Sequence, residues 1–344
     1  MKQVIAMGIL VVLFMTIFSA CGNIAESSQS QEGKDMTSDA IDPEYEEDYT
    51  DNTLMSDFYT VDTAISDVIN DPVFGDYGRL IFPVDDWYYS GNTLGDLHLT
   101  YYSNIDPNET VEITNYMKEH AVAGNSIFYD IYTEEEKAAD PAKEDTGLFF
   151  FKGNPGERFA ICNAGGAFSY VGAMQDSFPH ALELSKQGYN TFALIYRPGA
   201  QTACEDLARA IQFVFEHAEK LEVNTNGYSL WGGSAGARMA AWVGSYGTVA
   251  FGADDFPQPA AVIIQYTGLS EYREGDPATF VTVGESDGIA NWRIMKQRLD
   301  SMNALGIDTE FHSYPGLGHG FGLGNGTVAE GWIDEAIAFW QRQL

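Results

Sequence analysis

Ser234 stands at the centre of Gly232-Gly233-Ser234-Ala235-Gly236, a Gly-x-Ser-x-Gly pattern between the apolar run Tyr228–Trp231 and the apolar-rich segment Ala235–Val243. The order strand, sharp turn, helix would push the serine out of a sheet, where a substrate can reach its hydroxyl. Glycines at 232 and 236 lack Cβ atoms and let the flanking backbones approach closely. The following helix would aim unpaired N–H groups and its positive dipole end at the hydroxyl. By itself the pattern carries little, since with 35 Gly in 344 residues and ordinary Ser usage chance produces one in roughly one such chain in four. A serine hydroxyl is a poor nucleophile at neutral pH. It needs a base within hydrogen-bond reach, and the base needs a group to orient it.

Serines on such turns take their partners in the chain order Ser, acid, His. Two histidines follow Ser234, His312 and His319. His319 lies in the Gly-rich loop Gly316-Leu317-Gly318-His319-Gly320-Phe321, beyond the last expected strand, where the base belongs. His312 falls inside that strand and reads as a packing or surface residue. The acid is expected after the strand at 278–283. The turn Gly284-Glu285-Ser286-Asp287-Gly288 offers Glu285 and Asp287, and Asp287 is favoured. Asp276 precedes the strand, at the wrong end. A developing oxyanion needs preorganised N–H donors. Ala235, the residue after the serine, supplies one. The loop Asn163-Ala164-Gly165-Gly166-Ala167-Phe168 supplies the other, from Gly166 with Gly165 or Ala167 as its neighbour. No Lys follows that loop at the spacing of a phosphate cradle.

These groups must be held by a scaffold. Short runs at 126–132, 147–152, 158–163, 191–196, 227–231, 260–266, 278–283 and 309–314 read as strands. Segments 178–187, 204–221, 235–243, 290–305 and 328–344 read as helices. The alternation indicates an α/β domain with a mainly parallel sheet, whose ligands bind beyond the carboxyl ends of the strands. The chain has 344 residues and a formal net charge of −32. That charge disfavours nucleic acid as a partner and tight adhesion to anionic lipid. Three Cys without CxxC or Cys/His metal spacing indicate no metal site. Cys162 and Cys204 are expected as buried free thiols rather than a bridge.

The first 125 residues read differently. Lys2, the apolar run Val4–Phe18 and Phe18-Ser19-Ala20-Cys21 resemble a bacterial lipoprotein signal over 1–21, with Cys21 as the lipidated residue and Phe18 where Leu is usual. The alternatives are a secretory signal or an uncleaved anchor. Residues 22–53 are rich in Ser, Gln, Asp and Glu and read as an acidic disordered tether. Residues 54–125 carry many aromatics and turn signals. They are expected to form an N-terminal extension packed on the main domain, with a helix beginning near Asn108-Glu109.

The segment 126–344 resembles the α/β-hydrolase superfamily, within its esterase/lipase-like branch of acetylxylan esterases and hormone-sensitive-lipase-like carboxylesterases. The resemblance rests on Ala164-Gly165-Gly166-Ala167-Phe168, Tyr189-Asn190 through Tyr196-Arg197, Asp206-Leu207-Ala208-Arg209-Ala210 and Gly232–Gly236 taken together. Ala164 stands where that branch has His or Pro, and Ala167 where it has a third Gly. The resemblance implies a cofactor-free serine carboxylic-ester hydrolase acting on short acyl groups, such as acetyl on a carbohydrate. Ser234, His319 and Asp287 would be its triad, and Ala235, Gly165 and Gly166 its oxyanion donors. With the lipoprotein signal, the enzyme would be held at the cell surface by its N-terminal lipid alone. A peptidase of the same fold and a non-catalytic glycan-binding lipoprotein are the competing readings.

Overall fold

The computed structural model of the protein describes residues 58–82 and 88–344. The expected signal over 1–21, its Cys21 and the tether at 22–53 lie outside the described residues.

Eight strands form one sheet: β1 (Phe128–Tyr129), β2 (Gly147–Phe151), β3 (Arg158–Asn163), β4 (Asn190–Ile195), β5 (Asn224–Gly233), β6 (Ala261–Gln265), β7 (Ala278–Gly284) and β8 (Thr309–Tyr314). Their spatial order is β8-β7-β6-β5-β3-β4-β2-β1. The strands from β3 to β8 run parallel, and β1 and β2 join antiparallel at one edge. β2, β4 and β6 are buried along their whole length. That suits unbroken apolar runs such as Gly147-Leu-Phe-Phe-Phe151, as expected of a sheet covered on both faces. Phe150 of β2 stacks on Phe192 of β4 at 4.5 Å. The edge strand β8 is only half buried and carries polar residues between its aromatics, which blunts an exposed edge.

The principal helices are α1 (Pro107–Val122), α2 (Phe178–Lys186), α3 (Ala200–Glu216), α4 (Ser234–Tyr246), α5 (Trp292–Ala304) and α6 (Trp332–Gln341). Several bounds differ from the sequence reading for local reasons. α1 is capped by Asp106, whose side chain accepts from the Asn108 N–H, with Pro107 as its first residue; Pro at that position loses no hydrogen bond. The helix expected over 204–221 breaks at His217 into α3 and a short turn at Ala218–Leu221. The helix expected from 328 begins at Trp332, after Gly331 in the left-handed region. The strand expected over 126–132 pairs only at Phe128 and Tyr129.

The order β4-β3-β5 means that the chain leaves β3 towards one side and returns to its other side. The carboxyl ends of β3 and β5 therefore flank the crevice where such sheets take ligands. Beyond β4, Arg197 and Asp206 form a buried ion pair: Arg197 Nη2 lies 2.7 Å from Asp206 Oδ1, and the Asp206 carboxylate also accepts from the Arg197 N–H and the Tyr132 O–H. The pair fixes the start of α3 close to the crevice, where the Gly199 N–H donates to the Phe168 carbonyl at 2.8 Å.

The described part of the extension belongs to one compact unit with the sheet. It contains α1 and a small antiparallel pair, Tyr89–Ser90 with His98–Leu99. Tyr116 of α1 stacks on Phe151 at 5.2 Å, and its hydroxyl accepts from the Lys152 N–H.

Truncating one member of a buried ion pair leaves the other charge uncompensated. Asp206→Ala should lower stability by about 3–5 kcal/mol, read as a fall in the urea midpoint. A loss within about 0.5 kcal/mol, the range of ordinary surface substitutions, would show that the pair is dispensable.

Candidate active site

Ser234 is the first residue of α4 and has φ 50°. A non-glycine residue in the left-handed region costs about 1–3 kcal/mol and persists only where its surroundings hold it. Here the hold is close backbone packing. A Cβ on Gly232 would sit 2.4 Å from the Gly236 carbonyl carbon, and one on Gly236 would sit 2.1 Å from the Asn163 carbonyl oxygen. Both glycines of the pattern are thus required by the approach of β5, α4 and the end of β3.

His319 reaches Ser234 from the loop after β8. Its Nε2 lies 3.1 Å from Ser234 Oγ, and its Nδ1 lies 2.8 Å from Asp287 Oδ2. A carboxylate only accepts, so Nδ1 carries the proton and Nε2 is left to accept from the serine hydroxyl. The second oxygen of Asp287 accepts from the N–H groups of Ile289 and Ala290 at 2.7 and 2.8 Å. The Asp287 side chain is fully buried and that of His319 nearly so. The rings of Tyr266 and Tyr102 lie 4.9 and 5.5 Å from the His319 ring.

The other candidates lie elsewhere. Glu285 accepts from the Ser313 hydroxyl at 2.9 Å, exposed to solvent. His312 sits on β8 between Glu310 and Glu335. Asp276 binds the Ser245 hydroxyl and the Arg273 N–H at the amino end of β7. Cys162 and Cys204 are buried and free.

Beside Ser234, one of the expected oxyanion donors must be corrected. The Gly165 N–H is already donated to Asp176 Oδ2 at 3.0 Å, so Gly165 cannot serve. Gly166 and Ala167 follow at φ 138° and 54°, and their N–H groups meet no acceptor among the described residues. A Cβ on Gly166 would lie 2.0 Å from the Tyr170 carbonyl oxygen, so this position tolerates only glycine. The Ala235 N–H belongs to the unpaired first turn of α4. The loop is held from beneath by the Tyr196 hydroxyl, which donates to the Ala164 carbonyl at 2.7 Å, and by the Gly172 N–H on the Gly165 carbonyl.

Asp176 is the residue that sequence reasoning missed. It is 4% exposed. One oxygen accepts from Gly165; the other accepts from the Tyr266 hydroxyl at 2.5 Å. Its carboxyl would lie only 2.8 Å from a Cβ on Gly233. Burial pushes the Asp176 carboxyl above the usual carboxylate range, opposed by the Tyr266 and Gly165 hydrogen bonds. Burial, reinforced by the Asp176 charge, pushes the Tyr266 hydroxyl well up, so it remains a donor. Tyr266 is itself at φ 34°. One buried carboxylate thereby joins the oxyanion loop, the serine turn and the tyrosine packed on His319. Its signal in the sequence was a lone acid in the stretch Val171–Phe178, which is otherwise uncharged.

A family model described as BD-FAE matches residues 155–261, a span that includes the oxyanion loop and Ser234 and stops before Asp287 and His319. Among solved structures, a thermophilic esterase from the planctomycete Thermogutta terrifontis with propionate bound is 20% identical at TM-score 0.54, covering 62% of this chain and 93% of that one. The Thermogutta terrifontis esterase 2 phosphoramylated by tabun is 20% identical at TM-score 0.53, with 62% and 93% covered. An acetyl ester-xyloside bifunctional hydrolase from Caldicellulosiruptor lactoaceticus is 19% identical at TM-score 0.53, with 62% and 95% covered. No curated protein matches the chain.

Asp176→Asn keeps the size of the side chain but offers one acceptor oxygen where two are used. A misplaced oxyanion donor costs about 10²-fold. The variant should lose roughly 10- to 100-fold in kcat towards a p-nitrophenyl ester, with KM little changed and the fold kept by circular dichroism. Unchanged kcat would remove Asp176 from the account. Sheet order, register and the solved structures similar to it agree that the chain has the α/β-hydrolase fold.

Proposed function

We propose that the protein is a serine carboxylic-ester hydrolase for short acyl esters. The observation that carries this reading is the continuous hydrogen-bonded line Ser234–His319–Asp287, with distances of 3.1 and 2.8 Å. Ser234 Oγ attacks the ester carbonyl while His319 Nε2 takes its proton. The Asp287 carboxylate holds the imidazole in the required tautomer and offsets the positive charge it acquires. The carbonyl oxygen becomes an oxyanion that the N–H groups of Ala235 and of Gly166 or Ala167 stabilise. Collapse of this intermediate breaks the C–O bond to the alcohol, which leaves with the proton from His319. Water then attacks the acyl-serine by the same route, with His319 taking its proton and returning it to Ser234.

The preference for short acyl groups is supported by the space beside the serine. The cavity over Ser234 has a volume of about 290 Å³. On the oxyanion side, a Cβ on Gly172 would meet Gly165, Leu99 and Tyr170 within 3.7 Å. Tyr88 stacks on Tyr170 at 4.4 Å. The names of similar structures, one with propionate bound and one an acetyl ester hydrolase, point the same way, and the latter makes acetylated carbohydrate the natural first substrate to test. On the reading of residues 1–21 as a lipoprotein signal, this chemistry takes place at the cell surface.

Hydrolysis of p-nitrophenyl esters from acetate to decanoate should be fastest at two to four carbons and fall steeply beyond. Ser234→Ala should lose at least about 10³-fold while keeping its melting temperature. A folded Ser234→Ala variant that still turns over acetate at the parent rate would overturn the assignment of the nucleophile. A maximum at eight to ten carbons would overturn the acyl preference.

A further inference from the structure

The extension reaches the site at one place. Tyr102 lines the cavity over Ser234 together with Tyr101 and with Ile289 of the Asp287 turn. These three large side chains are 52%, 58% and 56% exposed, in a molecule whose other large apolar residues are mostly buried. Tyr102 is held in the left-handed region, at φ 53°, a costly conformation for an aromatic residue. It is clamped from both sides. The Leu99 N–H donates to Ser103 Oγ at 3.0 Å, and the Asn104 N–H donates to Gln175 Oε1 at 3.0 Å. The Asn104 side-chain amide donates to the Gly320 carbonyl, next to His319. A Cβ on Gly320 would lie 2.8 Å from the Tyr102 carbonyl oxygen, so the histidine loop admits this segment only because residue 320 is glycine.

The direction of proton transfer says which part of a substrate meets Tyr102. The leaving alcohol takes its proton from His319 Nε2, so its oxygen must come within about 3 Å of that nitrogen. The Tyr102 ring lies 5.5 Å from the His319 ring in an edge-on arrangement. Carbon atoms next to the alcohol oxygen therefore fall against Tyr102, while Leu99 and Tyr170 border Gly172 on the oxyanion side. We propose that Tyr101 and Tyr102 form the subsite for the leaving alcohol, and that this subsite takes alcohols carrying a ring with an apolar face, a pyranose or an aryl group. Half-exposed tyrosines offer a flat apolar surface while their hydroxyls stay in water, which suits a ring that stacks on one face and remains hydrated at its edge. The subsite lies outside the segment matched by the family model. It rests on the reading of Ser234 as an ester-hydrolysing nucleophile and goes beyond it, because it assigns alcohol selectivity to the extension.

The test compares three acetate esters: ethyl acetate, phenyl acetate and a monoacetylated methyl glucopyranoside. All three form the same acetyl-serine, so deacylation is common to them and only kcat/KM reports the alcohol. Tyr102→Ala should lower kcat/KM about tenfold for at least one of the ring-bearing esters. It should cost ethyl acetate at most about a third of that loss, since an ethyl group covers less of the ring, and leave the deacylation rate after a p-nitrophenyl acetate burst unchanged. Tyr102→Phe should keep the parent values, since the ring and not the hydroxyl does the stacking. Tyr101→Ala should show a smaller loss with the same selectivity. A loss confined to the pyranoside identifies a sugar as the occupant, and one confined to phenyl acetate an aryl group. An equal loss on all three esters, or a slower deacylation, would overturn the proposal, because Tyr102 would then only prop His319. No loss on any ester would overturn it too. If the parent protein hydrolyses none of the three, the ester-hydrolase reading itself fails, and the proposal with it.

Discussion

The approach of three backbones at Gly236 is the constraint from which the rest of the site follows. The end of β3, the end of β5 and the start of α4 come so close there that a single Cβ would collide with the Asn163 carbonyl oxygen at 2.1 Å. This approach forces the turn after Gly233 to be tight, and the tight turn holds Ser234 at φ 50°. The serine then projects from the carboxyl edge of the sheet, with the unpaired first turn of α4 behind it. The neighbouring parallel strands deliver the other groups to the same edge. β3 leads into the oxyanion loop, β7 into Asp287 and β8 into His319. Parallel strands share one carboxyl end, so residues 85 and 32 positions from His319 in the sequence meet it in space.

A tight turn does not by itself place the oxyanion loop, and here a buried charge is used. Ionised carboxylates are costly to bury unless they are well hydrogen-bonded. Asp176 meets that condition through the Gly165 N–H and the Tyr266 hydroxyl. On the proposed mechanism the same bond withdraws the Gly165 N–H from the reaction and leaves the role to its two successors, which line the cavity in unusual backbone conformations. Asp176 also connects this loop to the tyrosine that packs against His319. On the proposed mechanism, donors and base are thereby oriented before a substrate arrives, as preorganised electrostatic stabilisation requires. The extension adds a further layer. Gln175, the neighbour of Asp176, holds Asn104, and Asn104 in turn binds the loop of His319.

Much of this was legible in the sequence. The sheet strands are short, apolar and separated by helices, so their number and the α/β class could be read. Ser234, Asp287 and His319 lie directly after strands, where a parallel sheet gathers side chains, and the structure brings these three together. Strand position separates His312 and Asp276 from them, whereas Glu285 shares the turn of Asp287 and differs by pointing to Ser313. The loop at 163–168 stands out by its paired glycines, and Gly166 and Ala167 are among the donors expected from it; the engagement of the Gly165 N–H is not legible. The competition of Asp176 for the Gly165 N–H depends on a contact across 11 residues of irregular chain, which no periodicity records. Residues 58–125 were the least legible. Their strands are two residues long, and their role depends on where Asn104 and Tyr102 dock rather than on any repeating pattern.

The central claim is that the line Asp287–His319–Ser234 makes this one serine a nucleophile. Its most direct test is reaction with a chromogenic p-nitrophenyl phosphonate, followed by peptide mapping of the adduct. The account predicts release of one p-nitrophenolate per chain, a single adduct on Ser234, and loss of labelling in a folded His319→Ala variant. A folded protein that takes no label, or takes it at another residue, would contradict the account.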